Sequence, residues 1–289
     1  MVANMLVELG GLCIPFGGKM GNFGRVFGDR KPVIGMVHLG ALPGAPLYDA
    51  AAGLAGLLEG ARADLRALQA AGFDAVMFGN ENDRPYEFKV DVASTATMAA
   101  VIGALKSEIT VPFGVNVLWD PMSTIALAAA TGAAFVREIF TGTYASDMGP
   151  WTPNAAEAMR YRNRLGRQDL AMLYNVSAEF ADSLDRRSLP DRARSAVFSS
   201  IPDAVLVSGA ITGEAAAMSD MVAVKKVLPL TPVLANTGVK HDTIGDILRF
   251  ADGCVVGSAL KYDGHTWNAV DPERARDFMD KARAARGGK

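Results

Sequence analysis

A single (β/α)8 TIM barrel is the fold the sequence predicts, and three observations predict it. From residue 31 onward, short β-rich runs alternate with longer segments of helical period, the sign of βα units on a parallel sheet. Eight runs occur, at a mean spacing of roughly 30 residues, the size of one strand-loop-helix unit. No linker-like composition interrupts residues 31–285, so residues 31–289 read as one barrel rather than as two doubly wound domains.

The elements follow in order. Residues 1–30 hold seven glycines without clear periodicity and read as an irregular N-terminal extension, part of it beneath the barrel. The eight runs cover 33–39, 75–80, 112–118, 135–141, 170–176, 204–208, 232–236 and 253–257. Between the first two, Leu54, Leu57, Leu58, Ala61, Leu65 and Leu68 share one helical face, and Gly72 is placed to end that helix. Asp120-Pro121 and Asp271-Pro272 each offer an N-cap followed by proline at the first helical position. After the seventh run, Asp242 is the expected cap of a short helix carrying Ile244, Ile247 and Leu248.

Composition narrows the function classes. With 29 basic and 31 acidic residues, a net charge of −2 and no like-charge runs, the chain lacks a nucleic-acid footprint. The two cysteines, Cys13 and Cys254, lie too far apart in sequence to draw a disulfide framework or a Cys-based zinc motif. No apolar run reaches membrane-span length and no signal-peptide pattern opens the chain, so a cytoplasmic location is expected. The first turn after a strand reads Gly40-Ala41-Leu42-Pro43-Gly44 and gives no support to dinucleotide binding.

A barrel gathers its chemistry where the strands' C-terminal ends meet their loops. The first strand ends in His38, the second in Asn80-Glu81-Asn82-Asp83-Arg84; the third carries Asn116 and leads to Asp120, and the fourth carries Arg137 and Glu138. The fifth carries Asn175 with Glu179 beyond, the sixth ends at Ser208-Gly209, the seventh at Asn236-Thr237-Gly238, and the eighth at Gly257-Ser258. Ser208-Gly209, Thr237-Gly238 and Gly257-Ser258 are candidates for a phosphate cradle, because glycine lets backbone N–H groups approach an anion and a hydroxyl adds a donor. Thr212-Gly213 would extend it; the duller reading is that these glycines only close tight turns.

His38, Glu81, Asp83, Asn116, Asp120 and Glu138 are the catalytic candidates. Imidazole and carboxyl groups move protons near neutral pH, and Glu81, Asp120 and Glu138 are also candidate oxygen ligands for Mg²⁺ or Mn²⁺. Asp120 has the alternative role of helix cap. Because strand side chains alternate, only one of Arg137 and Glu138 is expected to point into the barrel. Arg137, Asn175, Asn236 and Lys261 are candidates for orienting substrate. No lysine lies within a strand, so the usual Schiff-base aldolase nucleophile is missing and Lys261 is the nearest substitute.

Several separated motifs carry a resemblance. Lys31-Pro32-Val33-Ile34-Gly35-Met36-Val37-His38-Leu39 with Leu42-Pro43-Gly44, and Glu81-Asn82-Asp83-Arg84-Pro85-Tyr86, are two of them. Gly114-Val115-Asn116-Val117-Leu118 with Asp120-Pro121, and the stretch from Asp252-Gly253 through Gly257-Ser258-Ala259-Leu260-Lys261 to Asp263-Gly264, are two more. Together they resemble the BtpA/SgcQ family over residues 23–279. The resemblance implies a TIM-type barrel in a family with one branch linked to photosystem I biogenesis and another found among sugar-utilisation functions. This chain departs from the family pattern in the fifth strand, where Tyr174-Asn175 stands in place of a common Lys-His pair, and at Arg137-Glu138 in the fourth.

Two functional expectations result. The first is an enzyme that acts on a small phosphorylated carbohydrate or related anion, by proton transfer or lyase chemistry with possible help from a divalent cation. The alternative is a non-catalytic assembly factor of the BtpA type. A homo-oligomer is expected in either case.

Overall fold

The computed structural model describes residues 21–287. Cys13 and the glycine-containing stretch up to residue 20 lie outside the described residues. Strands are numbered along the chain: β1 (Val33–His38), β2 (Ala75–Gly79), β3 (Phe113–Asn116), β4 (Phe135–Glu138), β5 (Tyr144–Ser146), β6 (Gly149–Trp151), β7 (Ala171–Asn175), β8 (Ala181–Ser183), β9 (Ala204–Val207), β10 (Val233–Ala235) and β11 (Gly253–Val256). Eight of them close into a barrel in the order β1-β2-β3-β4-β7-β9-β10-β11, with β11 returning to β1. Every barrel pair is parallel, from Ile34 beside Ala75 round to Val33 beside Cys254. These eight are the runs the sequence predicts.

Helices follow the barrel strands: α2 (Gly53–Ala71), α3 (Val92–Leu105), α4 (Pro121–Thr131), α5 (Ala155–Arg164), α6 (Leu189–Ser200), α7 (Met218–Val227), α8 (Ile244–Phe250) and α9 (Pro272–Ala285), after a leading α1 (Asn22–Phe27). Their ends obey local chemistry. Gly72 closes α2 in the left-handed conformation at φ 83°, and Asp120 and Asp271 cap α4 and α9 ahead of their prolines. The expected cap of α8 is corrected. Thr243, not Asp242, occupies the N-cap position and makes no side-chain cap bond; its hydroxyl accepts instead from Lys240 N at 3.0 Å.

Strand alternation sorts the core into two shells. Val33, Val37, Val76, Phe78, Val115, Val136 and Tyr174 point outward and pack under the helices. Ile34, Met36, Met77, Phe135, Leu173, Leu206, Leu234 and Val255 fill the barrel, and Phe23 and Phe27 of α1 join them from below. The lead-in expected to be irregular therefore contains a helix, because Phe23 and Phe27, four residues apart, need one face to reach the barrel floor.

A second difference lies above the barrel. β5, β6 and β8 form a three-stranded antiparallel sheet built from the loops after β4 and β7. Beneath it, Trp119, Ile139, Tyr144, Trp151 and Ala178 form a small apolar cluster with Phe88 and Phe180 packed against it. No described helix is long and apolar enough to cross a membrane.

Candidate functional site

Each barrel strand delivers one inward residue at or just past its C-terminal end: His38, Glu81, Asn116, Arg137, Asn175, Ser208, Asn236 and Gly257. Above this layer opens a cavity of about 540 Å³, lined among others by His38, Glu81, Asn116, Arg137, Glu138, Asn175, Glu179 and Asn236. Trp119 and Phe180 form one wall. Both hold left-handed backbone, at φ 66° and 51°, a conformation that costs bulky side chains of order 1–3 kcal/mol and gathers at functional sites. Lys240, His241, Asp242, Arg274 and Lys281 also line the cavity.

Arg137 is the hub of the floor. It lies on the same side of its strand as Phe135 and donates to Asn236 Oδ1 at 3.0 Å and to Asn116 Oδ1. Glu138 follows it on the strand yet also reaches the cavity, which corrects the expectation that only one of the pair enters. At the strand's end its side chain folds back: Glu138 Oε1 accepts from Ile139 N at 2.8 Å and Oε2 from Asn116 Nδ2 at 2.6 Å. Burial pushes the Glu138 carboxyl up to about 8, against the pull of these bonds and of Arg137.

Glu81 sits differently. Its Oε1 lies 3.7 Å from Arg137 Nη2 and 3.8 Å from His38 Nε2, and its Oε2 is buried without a hydrogen-bond partner. Its carboxylate lies so close over Gly79 that a Cβ there would collide with it. Burial raises the Glu81 pKa, with Arg137 opposing. His38 goes the other way: burial, then the nearby Lys261 ammonium, hold its imidazolium pKa at about 3, so the ring is neutral at neutral pH. Glu179, outside the strand layer, accepts from Thr212 Oγ1 at 2.6 Å and is raised by burial.

The remaining predicted residues divide. Thr237, Gly238, Gly257 and Ser258 line the cavity, whereas Ser208, Gly209, Asp83, Asp120 and Lys261 do not. Ser208 lies in the polar layer, donating to Asn175 Oδ1 at 2.9 Å and accepting from Asn236 Nδ2 at 2.8 Å. Gly209 N donates to Thr237 Oγ1 at 2.6 Å. The cradle's glycines are close to protein rather than open: a Cβ on Gly257 would lie 3.0 Å from the His38 ring, and one on Gly238 would overlap the backbone of Ala215.

Asp83 accepts from Leu42 N at 3.0 Å and ties two loops together. Asp120 takes Ser123 N at 2.9 Å, Ser123 Oγ at 2.8 Å and Val90 N at 3.1 Å. The three acids read from the sequence as cation ligands therefore do not converge, and no group of three or more His, Cys, Asp or Glu placed for a metal occurs among the described residues. Lys261 is buried against Asp64, Nζ to Oδ2 at 2.6 Å, too enclosed for a Schiff-base role. Trp119, Phe180, Lys240 and Arg274 were not singled out in the sequence; the first three have the signal of a place beside the polar strand ends, and Arg274, inside α9, has none.

The architecture is shared with solved barrels. Phosphoribosylanthranilate isomerase from Pyrococcus furiosus superposes with a TM-score of 0.54 over 88% of this chain and 100% of its own, at 12% identity. A structure titled "Native KDPGal structure" gives 0.54 over 88% and 95%, at 18% identity. These likenesses establish the fold alone. The sequence goes further, because the model of the BtpA family matches residues 29–284.

The chain belongs to the BtpA family.

The sgc region protein SgcQ of Escherichia coli (strain K12) is 47% identical over 257 residues, 89% of this chain and 96% of that one. The photosystem I biogenesis protein BtpA of Synechocystis is 32% identical over 259 residues, 89% of each. In this BtpA-family barrel two buried carboxyls, Glu81 and Glu138, lie beside one guanidinium, and Lys240, Arg274 and Lys281 line the same cavity.

Proposed function

We propose that this BtpA-family barrel is an enzyme that moves protons on a small polyhydroxylated anion, a sugar phosphate or close relative, in isomerase, epimerase or lyase chemistry. The observation that carries this reading is Glu81 Oε2, a buried carboxyl oxygen with no partner in a residue that lines a 540 Å³ cavity. Leaving such an atom unmet costs roughly 1–3 kcal/mol, a cost that a substrate hydroxyl removes on binding. Glu81 and neutral His38 form the proton-transfer pair. Positioned groups of this kind contribute about 10²–10⁴-fold to rate.

The other residues take complementary parts. Arg137 meets charge that develops on a substrate oxygen, while Asn175 and Asn236 orient hydroxyls. Lys240 and Arg274, beside Thr237 and Ser258, receive the anionic group. A second reading, that of an assembly factor, draws support from the likeness to the photosystem I biogenesis protein and from Phe198, Ile201 and Leu230 on the outer surface, 79%, 67% and 75% exposed.

Thermal unfolding with inorganic phosphate, Mg²⁺, Mn²⁺ and matched phosphorylated and unphosphorylated sugars separates the two. A ligand at ~100 times its dissociation constant stabilises by about 2.7 kcal/mol, a midpoint rise of roughly 5–10 °C. A rise confined to phosphorylated sugars supports the enzyme, and turnover of that sugar is then assayed. No rise with any of them shifts the reading to the assembly factor, whose partner-bound complex is then sought by pull-down.

A further inference from the structure

The loop after β11 leaves and returns through a narrow neck. Lys261 and Val270 meet there in an antiparallel bridge, with Tyr262 N donating to Ala269 O at 3.1 Å and Asp271 N to Leu260 O at 2.9 Å. Asp64, from the middle of α2, holds both sides of that neck. Its Oδ2 accepts from Lys261 Nζ at 2.6 Å and its Oδ1 from Val270 N at 2.7 Å. The two side chains are 5% and 1% exposed.

Stability alone gives little reason to bury such a pair. Removing two charges from water offsets most of their attraction, and an apolar pair of similar volume is often as stable or more so. What the pair does fix is the path of residues 261–270. At the far end of that path, Thr266 O lies 3.4 Å from His38 Nδ1, and Thr266 Oγ1 shares a 2.7 Å hydrogen bond with Ser258 Oγ. Trp267, the next residue, lies under the Arg84 guanidinium at 3.7 Å.

A carbonyl oxygen only accepts hydrogen bonds. An Nδ1 that keeps this contact carries the imidazole proton, which leaves Nε2, the nitrogen 3.8 Å from Glu81 Oε1, with its lone pair. We propose that the Asp64–Lys261 pair is a clamp that sets the tautomer and orientation of His38 by pinning the 261–270 loop, which makes Asp64 and Lys261 positioning residues for proton transfer. This inference rests on the reading of Glu81 and His38 as the proton-transfer pair. It also gives a task to the lysine of the Gly-Ser-x-x-Lys stretch, which lies outside the cavity. The Lys261 charge disfavours the imidazolium, and the Asp64 charge opposes it, so the pair acts on His38 through the path of the loop.

Nitrogen-15 spectra of the full chain labelled at histidine test it without any substrate. The three histidines are assigned with His241→Gln and His265→Gln. In the wild type His38 should show a protonated Nδ1 and a bare Nε2. In Asp64→Leu/Lys261→Met, which removes both charges, the chain should fold while His38 loses that single signature and an Nε2–H resonance grows in. If that variant does not fold, Asp64→Asn/Lys261→Met keeps an acceptor for the Val270 N–H and is read at the same resonance. A wild-type Nε2–H tautomer, or an unchanged Nδ1–H signature in the folded double variant, overturns the clamp. Failure of the functional reading looks different: His38→Gln would leave ligand-induced stabilisation and turnover intact while the tautomer results stand.

Discussion

Near its lower end the barrel interior holds Phe135, Leu173, Leu206 and Leu234, closed off by Phe23 and Phe27. Two residues further along the same strands it holds Arg137, Asn175, Ser208 and Asn236. The strand geometry is identical in the two layers; only the side-chain chemistry changes. The lower layer contributes stability through apolar burial, whereas the upper layer detracts from it by burying Glu81 and Glu138 beside one guanidinium, with Glu81 Oε2 unpaired. A layer that costs stability while lining a cavity is where function is expected, and the contrast is open to direct test.

The largest effect is expected at the centre of the upper layer. Glu81→Gln should lower turnover of the sugar phosphate found by thermal shift by roughly 10²–10⁴-fold, with the unfolding midpoint unchanged or raised; a large fall in midpoint would instead make Glu81 a structural residue. Below it the pattern reverses. Phe135→Ala should cost about 3–5 kcal/mol, seen in urea unfolding, yet leave the ligand-induced rise in midpoint intact.

Glu138 sharpens the comparison through pH. Its folded pKa near 8 lies above its unfolded value, so the unfolded chain releases this proton first and the stability it contributes falls as pH rises from about 4.5 to 8. His38, lowered to about 3, acts oppositely: its contribution rises between about pH 3 and 6.5, leaving Glu138 the larger influence of the two above that. Unfolding of Glu138→Gln from pH 6.5 to 8 should lack the decline assigned to this residue, and a variant that tracks the wild type would remove the assignment. The smallest effect belongs to Asp120→Ala. Loss of the α4 cap should cost about 0.5–2 kcal/mol without altering the ligand-induced shift.

The eight strands were legible because burial on both faces leaves continuous apolar runs, and α2, α4 and α9 because Gly72, Asp120-Pro121 and Asp271-Pro272 mark their ends with local chemistry. β5, β6 and β8 were not, since each has three residues, too few to show alternation. At the site, position along the strand was readable but direction was not. Asp83 and Asp120 occupy the loops that hold the cavity residues, yet backbone N–H groups turn their carboxylates aside. Periodicity also misplaced Glu138, whose side chain reaches the mouth by folding back at a strand end. The glycines were read as places where backbone approaches an anion; what lies against Gly257 and Gly238 is His38 and the Ala215 backbone.

The helix under the barrel bears on how the chain assembles. Phe23 and Phe27 are synthesised ahead of every strand, but the apolar surface that receives them is made by residues as distant as Leu206, Leu234 and Val255. Phe27 meets Phe135 in a tilted ring contact, 5.3 Å between centroids, and the helix start is held by Asp203, which accepts from Asn22 N at 3.2 Å. On a ribosome that delivers the N-terminal part first, the start of this helix waits for Asp203, 181 residues later in the chain. The first described element of the chain is therefore held by residues made well after it.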